Sequence, residues 1–228
     1  MKKKLIIFAL LAISIFSLTA CGKKEEINLA NYTIEERDAL YTAKDDIYSV
    51  SLSSGLREID YDLDGVINEK TNFALLTFNR NNNQPLANDT YSYSVKINED
   101  IKTGFLDKNP TNNSYSSDLE IEIPTNSTVE VKISFTGYNF NQTLTNTYSE
   151  FTVDKSTALN IANEHLCEYV KNILNNNSNI EVVMKILKDY SDTELKTYYW
   201  YVGAVSTKGE TLGILIDANS GEIIAKKV

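Results

Sequence analysis

The sequence predicts a mainly β protein that ends in a small α+β unit. Three observations predict it. From about residue 46 to 151, apolar residues alternate in short runs separated by Asn, Pro, Gly, Ser and Asp. At Asp154 the spacing changes to that of one amphipathic helix. After Asn177 the period returns to two.

Bulk properties narrow the field. The chain has 228 residues, 42% hydrophobic and 23% charged, ordinary for one large or two small globular domains. Its formal charge is -9, and removing Lys2, Lys3 and Lys4 with the first twenty residues takes that to -12. So acidic a chain repels the phosphates that a nucleic-acid binder must neutralise. Direct adsorption of the folded part to an anionic membrane is disfavoured for the same reason.

The first segment reads as an address. Lys2 to Lys4 are followed by an apolar run from Leu5 to Leu18, shorter than the roughly twenty residues of a bilayer span. Leu18-Thr19-Ala20-Cys21 then resembles the lipobox of bacterial lipoproteins. The resemblance implies a signal peptide over 1–20, cleavage before Cys21, acylation of Cys21 and palmitate-type anchoring on the extracytoplasmic face of the cell membrane. Gly22 rather than Asp follows, which favours a Gram-positive surface. Two acyl chains anchor stably where one does not. With Cys21 lipidated, Cys167 has no partner for a disulfide and reads as a small apolar residue on a helix.

Residues 21–44 read as lipidated Cys and polar tether, with Lys23-Lys24-Glu25-Glu26 at its head. Thr33-Ile34-Glu35-Glu36 fits a capping box and predicts a short helix over 34–41. Residues 45–152 form the β domain. "IYSVSLSS", "LREIDYDL", "FALLTFN", "YSYSVKIN", "LEIEI", "VEVKISFTG" and "NTYSEFTV" read as its strands, and 79–89 and 99–118 as long connections. This pattern predicts an antiparallel β-sandwich of immunoglobulin-like type. The Cys…Trp…Cys core of antibody domains is absent.

Residues 153–228 form the α+β unit. Ala158, Leu159, Ala162, Leu166, Val170, Ile173 and Leu174 make one helical stripe, capped at Asp154 or Ser156 and ended by Asn175-Asn176-Asn177. Ile180, Val182, Met184 and Ile186 share one strand face, and "KTYYWYVGAVS" and "TLGILIDA" follow as a hairpin. Such a helix covers one face of an antiparallel sheet. The helix opening "DKSTALNIANEHL", the Trp200-Tyr201-Val202 strand, the Gly209 turn and the ending "LIDANSGEI" together resemble a PepSY domain. The resemblance covers about the last third of the chain. It implies a module without catalytic residues, proposed in its family to bind, inhibit or regulate peptidases.

The sharpest chemical motif is "DYDLDGVINEKT". Asp60, Asp62, Asp64, Gly65, Ile67 and Asn68 match a calcium loop, but Thr71 stands where a bidentate acid belongs. The rival reading is a hairpin turning at Asp64-Gly65, with Ile59, Tyr61 and Leu63 alternating against the acids. Three acids on an exposed strand face repel by only about 0.6 kcal/mol per neighbouring pair, so they do not require a cation. Calcium is the one cofactor the sequence raises. His165 is the single histidine, which excludes a two-histidine zinc motif and reads as structural. Tyr198-Tyr199-Trp200-Tyr201 offers stacking surface, with alternate members facing the core.

The sequence-level expectation is a non-enzymatic surface lipoprotein whose last domain binds or inhibits an envelope or secreted peptidase. The alternative is a ligand-binding or adhesive lipoprotein acting through the sandwich. Catalytic residues: none are expected.

Overall fold

The computed structural model describes residues 27–59, 62–81, 85–124, 127–147, 151–188 and 197–228. Among them are thirteen strands joined into one continuous network, and one α-helix. The expected class, mainly antiparallel β with a single helix, is what the structure has.

Strand β1 (Thr33–Lys44) organises the network. It pairs antiparallel with β2 (Tyr48–Glu58) along almost its whole length. On its other side it has two successive neighbours. Thr33 to Arg37 run parallel to β10 (Ile180–Lys188). Tyr41 and Thr42 instead pair antiparallel with Asn146 and Thr145 of β9 (Tyr138–Asn146). A bulge between Arg37 and Ala39 separates the two stretches. Bulges add twist locally, which lets one strand leave one sheet and enter another.

Over the described residues 27–44 the expected tether is replaced by ordered structure, and the helix over 34–41 does not form. A 3-10 turn, Leu29–Tyr32, leads directly into β1, and Leu29 is fully buried. The run Glu35-Glu36-Arg37-Asp38 looks solvated because its neutralising partners are mostly distant in sequence. Glu35 pairs with Arg37 at 2.7 Å, Glu36 with Lys70 at 2.9 Å and with Lys155 at 2.8 Å, and Lys155 with Asp38 at 3.1 Å. Burial opposes ionisation of Glu36, but hydrogen bonds from Lys155 and Lys70 outweigh it and hold the carboxyl below its ordinary range.

The C-terminal unit follows its expected pattern. Helix α1 (Lys155–Asn175) is capped by Asp154, whose side chain accepts from Thr157 N at 2.7 Å. Its buried residues are Ala158, Ala162, Leu166, Val170 and Ile173. They pack on the even-numbered faces of β10, β11 (Tyr198–Ser206) and β12 (Thr211–Asp217), where Val182, Met184, Trp200, Val202, Ile214 and Ile216 are buried. Trp200 donates its indole N–H to Val153 O at 2.7 Å, so its one polar atom is satisfied inside the core. β13 (Ile223–Lys227) closes the order β13-β12-β11-β10-β1-β2. At the last turn Asp217 Oδ1 accepts from Asn219 N and Ser220 N at 2.9 and 2.7 Å, and Gly221 takes φ +75°.

The second core lies inside the remaining strands. β2 pairs with β3 (Lys70–Arg80), β3 with β7 (Tyr115–Leu119), and β7 with β6 (Asp107–Lys108). On the other side β1 pairs with β9, β9 with β8 (Val129–Phe135), β8 with β4 (Ser92–Ile97), and β4 with β5 (Asp100–Phe105). Only Leu106 separates β5 from β6, and its N–H bonds Tyr91 O at 2.8 Å. The pairings therefore run almost full circle, as in a barrel. Phe78 sits inside with Tyr48, Tyr91, Phe135 and Phe140 at ring-centre distances of 5.2, 5.9, 6.1 and 5.6 Å.

Several local expectations fail here, including the strand over "NTYSEFTV", since β9 ends at Asn146 and residues 147 and 151–153 are not in a strand. Residues 99–118 carry β5, β6 and the start of β7 instead of a plain connection. β5 escapes period-two reading because its side chains are mostly exposed on both faces. Of "LEIEI" only Leu119 is in a strand, and β2 stops at Glu58 where "LREIDYDL" predicts continuation. β2 and β3 do form a hairpin, with Glu58 opposite Lys70, but its connection spans 59–69 instead of a two-residue turn.

Two outcomes follow from the role of β1. A Cβ on Gly55 would lie 1.7 Å from Glu36 O. Gly55→Ala must push β2 from β1 and is expected to cost about 3 kcal/mol in urea unfolding. The fragment 153–228 lacks β1 and leaves one side of β10 unpaired. It is expected to show no cooperative thermal transition and poorly dispersed amide NMR signals, whereas 27–228 shows both a transition and dispersion.

Candidate functional site

The face of the C-terminal sheet turned away from α1 carries an ordered row. Directly paired residues share a face. Leu215, Tyr201, Lys185, Arg37, Gly55 and Phe73 are paired in succession across β12, β11, β10, β1, β2 and β3. The Tyr201 ring lies over two glycines: a Cβ at Gly203 would meet its Oη at 2.3 Å, and one at Gly213 its Cε2 at 3.4 Å. Lys185 Nζ stands 5.5 Å from the Tyr201 ring centre. The Arg37 and Arg57 guanidiniums stand 5.4 and 4.5 Å from the Phe73 ring centre. Burial and the nearby Arg37 charge push Lys185 down, against the opposing pull of Glu35. The result is a row of cations and aromatic rings on an acidic protein, half-buried at Tyr201, Lys185, Arg37 and Arg57 and fully buried at Phe73.

Residues 62–69 of the connection cross one end of this face. Gly65, at φ +76°, packs against Asn179 just before β10. Gly65 N donates to Glu181 Oε1 at 2.6 Å, and Asn68 N donates to Glu58 Oε1. Both acids are almost fully buried, at 2% and 1% exposure. Burial pushes the Glu181 carboxyl above its ordinary range, the Glu58 and Asp64 charges add to that, and the N–H groups of Gly65 and Asp64 oppose it. Between loop and sheet lies a cavity of about 250 Å³ lined by Ile34, Asp62, Leu63, Glu181, Val183 and Val205.

The sequence-predicted residues are distributed as follows. Cys21 and Asp60 lie outside the described residues. Asp62 and Asp64 are exposed, and Asp64 Oδ1 accepts from Val66 N at 2.8 Å, a local turn bond. Among the described residues no three His, Cys, Asp or Glu side chains gather as a metal site. His165 is exposed on α1, and its carbonyl accepts from Lys226 Nζ at 3.1 Å. Cys167 is half-buried. Tyr198 and Trp200 face the core, while Tyr199 and Tyr201 take the open face, as alternation requires.

Glu58, Glu181, Lys185 and Arg37 are absent from the sequence-level candidates. Glu181 and Lys185 interrupt an apolar strand at alternate positions, which marks them as facing away from the helix. Their proximity to Arg37 and Glu58 depends on the parallel β1–β10 pairing, which no local pattern reveals.

Comparison with known proteins adds no relative: no family model, no curated protein and no solved structure matches the chain.

Replacing Glu181 by Gln keeps an acceptor for Gly65 N and removes a buried charge. The wild-type carboxyl has its folded pKa raised. The folded state therefore binds the proton more tightly, and this group's contribution to stability falls as pH rises from the unfolded value of 4.5 through the folded one. Glu181→Gln is expected to raise the melting temperature at pH 7, with the gain shrinking as pH falls to 4, by thermal unfolding across that range.

Proposed function

We propose that this chain is a lipid-anchored surface protein that binds an envelope or secreted peptidase and restrains it, without chemistry of its own. The observation that carries the reading is the half-buried strip of Tyr201, Lys185, Arg37 and Arg57, the two arginines lying over the buried Phe73 ring. It lies on the face that the helix leaves open. Aromatic rings and arginines supply much of the energy at protein interfaces. The peptidase as partner, and the PepSY-like character of the C-terminal unit, rest on the sequence resemblance. The helix-backed antiparallel order of β10 to β13 and the Asp217–Gly221 turn support it. Anchoring rests on Leu18-Thr19-Ala20-Cys21. The immunoglobulin-like sandwich is retained only as a reading of the strand pattern in 45–152.

A second reading has its own observation. On β5, Ile101 and Phe105 are 60% and 65% exposed, an apolar pair at the rim of the second core. This favours a ligand-binding or adhesive role for the β domain.

The test is capture from envelope and secreted extracts by the full chain in mild detergent, with peptidase activity measured in the eluate with and without excess bait. One peptidase should be retained and suppressed by excess bait, and the pair Lys185→Glu and Tyr201→Ala should weaken capture at least tenfold. Equal capture by wild type and this variant, with loss on Phe105→Ser, would move the function to the β domain.

A further inference from the structure

We propose that the cavity between residues 62–69 and the open sheet face is a site for a primary alkylammonium group, such as the end of a lysine side chain. The walls are aliphatic, made by Ile34, Leu63, Val183 and Val205, while Glu181 and Asp62 supply carboxylates. That combination matches a cation on an apolar stem, which buries its methylenes and keeps its charge on an acid. It does not match a hard divalent ion, which takes six to eight oxygens. The volume, about 250 Å³, is that of a site for a side-chain-sized fragment.

Two features make this more than a group of acids. Glu181 is held in place by Gly65 N at 2.6 Å, so its carboxylate is preorganised. Behind the cavity lining, Glu58 is 1% exposed, and among the described residues its Oε2 has no hydrogen-bond partner. A buried carboxylate oxygen without a partner is costly. The pair therefore holds negative potential that a cation entering beside Glu181 would relieve. The surrounding cations have other partners: Lys70 bonds Glu36 at 2.9 Å, Arg37 bonds Glu35 at 2.7 Å, and Arg57 reaches Asp118 at 3.3 Å. Burial is what raises Glu181 most, and the Glu58 and Asp64 charges that add to it are the part a bound cation would offset.

The inference is independent of any peptidase. The full chain in detergent would be titrated calorimetrically with n-butylamine hydrochloride and with Nα-acetyl-lysine amide. n-Butanol and Nα-acetyl-norleucine amide serve as neutral matches, and calcium chloride as a third arm. Both ammonium compounds should bind saturably and at least tenfold more tightly than their neutral matches. Binding of the lysine derivative alone would place the source in a polypeptide, and of butylamine alone in a free amine. Glu181→Gln should weaken either at least tenfold. Val205→Phe should do the same by filling the cavity while leaving every acid in place, which keeps the test decisive if one variant fails to fold. Equal binding of the neutral matches, unchanged binding by a folded Glu181→Gln, or a response to calcium alone would overturn the proposal.

Discussion

The fold depends on one strand serving two sheets. β1 gives its first half to β10 and its second half to β9, while β2 accompanies both. The bulge after Arg37 is where the change of partner occurs, and close contact of Gly55 with the Glu36 carbonyl is what lets β2 follow the bend. Each core would lose a wall without β1. The helix-side core takes Leu29 and Leu40 from this region, and the aromatic core takes Tyr41.

The same strand also explains the electrostatics. A segment dense in charge is held between neighbours because cations from three places meet it: Arg37 in the strand, Lys70 on β3, and Lys155 at the start of α1. Lys155 bridges Glu36 and Asp38, tying the helix to the bulge. On the opposite face Arg37 and Lys185 continue a row that ends on Tyr201, so the charges that let β1 be internal also shape the open surface. Structural neutralisation and the open cation–aromatic face thus share residues.

Legibility followed the locality of the causes. α1 could be read because its stripe and the Asp154 cap are contained in consecutive residues. The alternation of Tyr198 to Tyr201 and the Asp217 turn could be read for the same reason. β1 could not, since Glu35 to Asp38 appear polar until Lys70 and Lys155 are in place. β5 and β7 were hidden because a strand with little core contact, or with Ser-Ser-Asp at its centre, lacks a period-two signal. In the 59–69 loop the acids were visible, but Glu58 and Glu181, which fix the loop, lie outside the motif.

The parallel pairing of Thr33 with Val182 has a kinetic meaning. β1 and β2 are adjacent in the chain and can zip early, whereas β10 arrives only after the whole β domain and α1 have been made. Contacts so distant in sequence form slowly, since loop closure must precede any gain from them. Until then the first half of β1 presents a bare edge, and bare edges recruit foreign strands. The charges on that edge, Glu35 to Asp38, disfavour pairing with a foreign strand in that interval.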